Sequence, residues 1–187
     1  VGYEMRDGFV KVGAATPDIL VADCVHNREE IVKKVKEMAE AGTKVMAFPE
    51  LCITGYTCSD LFWQELLLVR AKEELHKLEE ELEEVEGLII VGLPLEFNQK
   101  LYNTAAVISG GKVLGFVPKH HLPNYAEFYE ARHFTAGCAF EGMVNWYGRE
   151  VPFGQNLLFV CEELPQLVTA VEVCEDLWAP NPPSISH

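Results

Sequence analysis

Apolar positions along the chain fall into two patterns, short unbroken runs and a three-to-four repeat, and their order predicts strands and helices in turn. Phe9-Val-Lys-Val-Gly-Ala-Ala15 reads as a first strand, closed by the turn signal Thr16-Pro17-Asp18. Ile31, Val32, Val35, Met38 and Ala39 then recur at helical spacing, with Asn27 as N-cap and Gly42 as the C′ glycine. Lys44-Val-Met-Ala-Phe48 follows as a short strand ending in Pro49-Glu50. A longer helix is expected from Ser59-Asp60 toward Gly87, with Leu75, Leu78, Leu82 and Val85 on its buried face. Leu88–Leu93 reads as a buried strand. Tyr102–Ser109 and Lys112–Val117 flank Gly110-Gly111, a two-residue turn that closes an antiparallel hairpin. Residues 120–150 read as loop, and a last extended pair is expected at 156–161 and 167–173.

This order points to an α/β fold layered around a mixed sheet, since a strictly parallel sheet leaves no place for the hairpin. Residues 73–86 carry eight glutamates, which read as the solvated face of the long helix. Nucleotide-binding glycine motifs and a G-x-S-x-G turn do not occur in the sequence.

Composition narrows the class. With 187 residues, 49% hydrophobic and 24% charged, the chain suits one globular domain. The 15 Lys+Arg against 29 Asp+Glu give a net charge of -14, which disfavours nucleic acid and anionic membrane surfaces as partners. Charges interrupt every stretch of about 18 residues, so no bilayer span is expected. Six cysteines without a C-x-x-C pair suggest free thiols and a cytoplasmic setting. The adjacent His120 and His121 would point to opposite faces of an extended segment, and no metal is expected. Residues 1–8 read as a leader before a domain over 9–187.

Three apolar runs finish on residues of another kind: Phe48-Pro49-Glu50, Val117-Pro118-Lys119 and Val171-Glu172-Val173-Cys174. Carboxyl ends of neighbouring strands meet at one crevice in layered α/β folds, so these three could converge although 69 and 55 positions separate them. A thiol needs a base to take its proton and a positive charge to favour the anion. Glu50 could be that base, and Lys119 could stabilise both thiolate and oxyanion. Taken singly, a strand-end Cys is more often a small core residue, and a strand-end Glu or Lys a solvated cap.

The segments Phe48-Pro-Glu-Leu-Cys-Ile-Thr-Gly-Tyr56, Pro118-Lys-His-His-Leu-Pro-Asn-Tyr125 and Val173-Cys-Glu-Asp-Leu-Trp178 resemble, in order and spacing, the Glu, Lys and Cys motifs of the carbon-nitrogen hydrolase (nitrilase) superfamily. Within it, Thr54–Phe62, Leu122–Arg132 and Cys174–Ser184 look like the glutaminase domains of glutamine-dependent NAD synthetases. The resemblance implies a nitrilase-like α-β-β-α layered sandwich. It also implies that Cys174 attacks the side-chain amide of L-glutamine, with Glu50 as general base and Lys119 holding the oxyanion. By the same resemblance Tyr56, Tyr125, Glu175 and Trp178 bind substrate. Glu130 orients Lys119 from behind, with Glu127 as its rival.

Only 13 residues follow Cys174. The resemblance therefore implies an amidase domain truncated on its C-terminal side, weakly active or inactive alone. It implies a synthetase domain absent from this chain, which would use ATP and Mg to amidate nicotinic acid adenine dinucleotide; the amidase part itself needs no cofactor. A homo-oligomer is implied as well. Two other readings stand beside this one: a free-standing amidase acting on a small amide or carbamoyl compound, and an inactive interaction domain.

Overall fold

In a computed structural model, residues 8–140 and 142–187 are described; the leader expected over 1–8 lies outside them but for Gly8. Seven strands form one sheet: β1 (Val12–Ala14), β2 (Val45–Ala47), β3 (Leu88–Phe97), β4 (Lys100–Ser109), β5 (Lys112–Pro118), β6 (Gly142–Trp146) and β7 (Arg149–Phe153). Their spatial order is β1-β2-β3-β4-β5-β7-β6. The first three run parallel, β3, β4 and β5 form an antiparallel meander, and β7 joins β5 in parallel while pairing with β6 as a hairpin. Helices α1 (Cys24–Glu40) and α2 (Glu65–Glu81) cover one face.

Strand pleating divides the core in two, because successive side chains leave opposite faces. Ile89, Val91 and Leu93 of β3 pack toward Ile31 and Val35 of α1 and Leu75 and Leu78 of α2. Ala105, Val107 and Val117 face the other way, against Val171 and Val173. That second face also carries the small ladder of β8 (Phe159–Val160) and β9 (Val168–Thr169). The layered α/β class follows from this arrangement.

Several elements differ from the sequence expectation. Helix α1 starts at Cys24, capped by Asp23, whose side chain accepts from the His26 N–H. Asn27 is instead inside the helix and fully buried, its amide bonded to both backbone groups of Leu20 and to the Ile53 carbonyl. A side chain committed to tertiary partners cannot also cap. The helix expected from residue 59 breaks at extended Gln64, after a 3-10 segment at Tyr56–Trp63 that contains Ser59 at φ 52°. Asn98 and Gln99, with φ of 50° and 61°, close a β3–β4 hairpin that no glycine announces. The stretch read as loop holds the β6–β7 hairpin, whose Val144, Trp146, Val151 and Phe153 alternate into the core.

The acidic tract of α2 is only in part a solvated face. Glu74 is fully buried and accepts from Arg28 Nε at 2.7 Å and Lys77 Nζ at 2.6 Å. Glu79, 2% exposed, accepts from the Val113 N–H at 2.7 Å, Trp146 Nε1 at 2.6 Å and Arg149 Nη2 at 2.5 Å. Apart from Lys77 within the helix, these donors come from α1, β5, β6 and β7, which no local pattern in α2 reveals. Burial without such donors would cost several kcal/mol.

Candidate active site

The turn after β2 carries Glu50. Phe48 N–H still pairs with Ile90 O at 2.9 Å, and then the chain folds back through Cys52 N–H to Pro49 O and Gly55 N–H to Leu51 O. The turn lies flat on β3 at Gly92, whose carbonyl accepts from the Ile53 N–H at 3.0 Å. A Cβ on Gly92 would come within 2.8 Å of the Glu50 carbonyl carbon, and closer still to Leu51 N. The bare backbone of Gly92 is therefore the seat of Glu50.

Lys119 follows directly on β5. Its N–H donates to Asn103 O and its carbonyl accepts from Gly137 N–H, both at 2.8 Å, and its side chain is fully buried. Cys174 lies beyond the packed Val171 and Val173 and leads into the short helix α3 (Glu175–Trp178). It is not the end of a strand of the sheet, as the sequence suggested, since β9 stops at Thr169. It has φ 50° and ψ -102°, a conformation that costs a non-glycine residue about 1–3 kcal/mol and aims the thiol out of a sharp turn.

The structure brings these side chains into one polar cluster. Lys119 Nζ donates to Glu50 Oε1 at 2.6 Å and to Glu130 Oε1 at 2.8 Å. Asn103 Nδ2 donates to Glu50 Oε1 at 2.5 Å, and Tyr56 donates its hydroxyl to Glu130 Oε1 at 2.7 Å. Glu130, not Glu127, is the second carboxylate at Lys119. A cleft of about 420 Å3 opens over Glu50, Asn103, Ala105, Val173 and Cys174.

Electrostatics of the cluster are dominated by burial. Desolvation pushes the Cys174 thiol above its ordinary value; the negative charge and hydrogen bond of Glu50 push the same way, and Lys119 opposes them. Burial likewise raises the carboxyl of Glu130, against the hydrogen bonds from Lys119 and Tyr56. At Lys119 burial acts to lower the pKa, but the Glu50 charge and the hydrogen bonds that the lysine donates to both carboxylates outweigh this and hold the ammonium. A protonated thiol beside a carboxylate fixed by an ammonium is an arrangement for nucleophilic attack on an acyl carbon.

The remaining expected residues are spread around this centre. Tyr125 and Glu175 pair outside the cleft lining, the tyrosine hydroxyl donating to Glu175 Oε2 at 2.9 Å. Trp178 is 76% exposed and lies outside the cleft lining. His120 Nδ1 contacts Gly137 O and His121 Nε2 contacts Asn181 O, so both rings serve the surrounding loops. Two residues at the centre were not singled out in the sequence. Asn103 sits within an apolar strand, where only its polarity among Ala and Val could have drawn notice. Asp176 follows Cys174 by two positions, 1% exposed, and accepts from the backbone of His120, His121 and Val173.

The carbon-nitrogen hydrolase profile matches residues 11–185. Over 179 residues, 96% of this chain, the sequence is 38% identical to the glutamine-dependent NAD(+) synthetase of Mycobacterium tuberculosis H37Rv, and covers 26% of that protein. The crystal structure of a glutamine-dependent NAD(+) synthetase from Cytophaga hutchinsonii superposes with a TM-score of 0.77 at 28% identity, over 82% of this chain and 26% of that one. A nitrilase-superfamily amidase from Nesterenkonia shares the fold, with a TM-score of 0.56 at 21% identity over 76% of this chain and 55% of that one. The chain thus spans about a quarter of the length of its synthetase relatives, 26% of the Mycobacterium protein. With the family profile covering nearly every described residue and the layered fold shared as well, the chain belongs to the carbon-nitrogen hydrolase family.

Proposed function

We propose that the chain is the glutaminase part of a glutamine-dependent NAD synthetase, with Cys174 as nucleophile. One observation carries this reading: Cys174 is held on a sharp, left-handed turn beside a Glu50 carboxylate that Lys119 grips at 2.6 Å. Lys119 and Asn103 both donate to Glu50 Oε1, which leaves Oε2 to take the thiol proton. Sulfur then bonds to the side-chain carbonyl carbon of glutamine, and the carbonyl pair moves onto oxygen. An ammonium has three donors. Glu50 and Glu130 engage two at Lys119, and the third serves the oxyanion. As the C–N bond breaks, Glu50 returns its proton to the departing nitrogen, giving ammonia and a glutamyl thioester. Water, deprotonated by Glu50, cleaves the thioester and restores the thiol. The paired Glu175 and Tyr125, close after Cys174 in the fold, suit the α-ammonium of the amino acid.

The ammonia would pass to a synthetase domain beyond this chain, for amidation of nicotinic acid adenine dinucleotide with ATP and Mg in the cytoplasm. The steps above use only Cys174, Glu50 and Lys119.

Treatment with 6-diazo-5-oxo-L-norleucine, a glutamine-shaped electrophile, tests the proposal. Cys174 should be labelled ahead of the other five cysteines, glutamine should protect it, and Cys174→Ala should abolish the modification. Labelling no faster than at Cys138, or without protection by glutamine, would overturn the proposal. Hydrolysis of small amides in its place would favour the free-standing amidase. Alkylation of Cys174 by iodoacetamide should meanwhile rise about tenfold per pH unit to beyond pH ~9, because the thiol is raised and only the thiolate reacts.

A further inference from the structure

The nucleophile and the lysine have no strand pairing between them. Lys119 belongs to the end of β5 in the large sheet, whereas the segment before Cys174 leaves the separate β8–β9 ladder. Apolar packing of Val171 and Val173 brings the segment down on the sheet but does not fix how far along it Cys174 comes to rest. Cys174 also keeps an unfavourable backbone conformation, which persists only where its surroundings over-determine it. Something polar and directional has to set this junction.

Asp176 meets that requirement. Its carboxylate takes hydrogen bonds from three backbone N–H groups in the two segments concerned. Oδ1 accepts from His121 N at 2.7 Å and from His120 N at 3.2 Å, the two peptides after Lys119. Oδ2 accepts from Val173 N at 3.3 Å, the residue before Cys174, and from His120 N at 3.4 Å. The N–H of Asp176 returns to Val173 O at 3.1 Å, so paired bonds between Val173 and Asp176 close a ring around Cys174. Hydrogen bonds to an ionised acceptor are about twice as strong as neutral ones, and here they are shielded from water.

We infer that Asp176 is a positioning residue, which sets the placement of the Cys174 thiol relative to Glu50 and Lys119 by clamping both backbone segments without touching substrate. The inference rests on Cys174 being the nucleophile proposed above. Asparagine at this position keeps one acceptor oxygen but turns an NH2 toward the other N–H groups, so it releases one segment while preserving shape and burial. A displacement on the order of 1 Å at a reacting centre is enough for a loss of about 100-fold.

The test compares the wild-type chain with Asp176→Asn, reading Cys174 by mass spectrometry. The first readout is the pH profile of alkylation by iodoacetamide. Burial first, and then the charge and hydrogen bond of Glu50 with a smaller push from Glu130, hold the pKa of this thiol up, while Lys119 opposes them. Once Cys174 moves away from the two carboxylates, the alkaline midpoint should fall toward the value of an unhindered thiol, about 8.5. The second readout is labelling by 6-diazo-5-oxo-L-norleucine, which should slow about 30-fold or more, while the iodoacetamide rate at high pH stays within about threefold. A lowered thermal midpoint with an unmoved pH profile would reduce Asp176 to a structural residue and overturn the inference. Equal slowing with both reagents would do the same, by showing that the thiol had merely become inaccessible. If the glutamine-shaped reagent fails on the wild type while the pH profile shifts in the variant, the glutaminase reading falls and the clamp stands.

Discussion

Replacing Lys119 by Met should abolish labelling of Cys174 by the glutamine-shaped electrophile and also leave the fold markedly weaker. The lysine is fully buried, and its ammonium is bonded at 2.6 Å and 2.8 Å to two carboxylates that would otherwise face each other. Removing one partner of a buried ion pair typically costs about 3–5 kcal/mol, because the other charge stays behind without compensation. Loss of a preorganised oxyanion donor lowers an acyl-transfer rate by about 100- to 1,000-fold. The stability loss should depend on pH, with a definite sign. Burial already raises the carboxyl of Glu130, and the missing cation raises it further. A group whose folded pKa lies above its unfolded value stabilises the fold below that unfolded value, and the contribution is lost as pH rises through the folded pKa. Urea unfolding of Lys119→Met should therefore show the larger deficit on the alkaline side and the smaller one in mild acid. The double variant Lys119→Met with Glu130→Gln should recover most of the stability and none of the labelling. Recovery of labelling in either protein would show that Lys119 is not needed to hold Glu50.

Gly92→Ala should separate the seat of Glu50 from the rest of the fold. Its Cβ would lie 2.8 Å from the Glu50 carbonyl carbon and from Pro49 O. These neighbours are backbone atoms and cannot rotate away. Leu51 N lies closer still, so the turn must rise by about an ångström or more to reach ordinary contact. Overpacking of this kind destabilises by about 1–3 kcal/mol. More telling, a raised turn carries Glu50 off Lys119 and away from Cys174, and the labelling rate should fall by about 100-fold. Gly110→Ala is the matched control: a Cβ there meets nothing within 4 Å, but φ is +53°, so it strains the β4–β5 turn at a distance from the cluster. That variant should lose about 1 kcal/mol and label like the wild type. Equal labelling by Gly92→Ala and Gly110→Ala would show that the turn absorbs the methyl group without moving Glu50.

The parts of the fold legible in the sequence are those where local chemistry and final environment agree. Gly110-Gly111 marked its hairpin because glycine is the residue that tolerates both positive φ values. Asn98-Gln99 makes the same kind of turn with residues that do not advertise it, and β3 consequently proved longer than its apolar run. Glu50 and Lys119 stood out because each closes a run of apolar residues, and β2 and β5 do deliver them to the same end of the sheet. Cys174 was found by the same pattern although the segment before it is irregular, since what the apolar residues there record is burial, with or without strand pairing. Asn103 and Asp176 left no such mark. The partner is a carboxylate 53 positions away in the first case, and in the second it is backbone N–H groups, two of them 55 and 56 positions away. Backbone groups are the same at every residue, so a side chain that binds them has no counterpart to be recognised in the sequence.

The buried glutamates of α2 bear on how this surface can be altered. A run of eight acids looks like freely exchangeable solvent-facing charge, the first place to redesign for solubility or crystallisation. Glu74 and Glu79 are exceptions hidden in that run, and Glu79 ties the helix to the indole of Trp146 and to the β5 backbone. A charge-neutralising library over 73–86 would therefore split sharply by position, with tolerant sites and two intolerant ones spaced five residues apart.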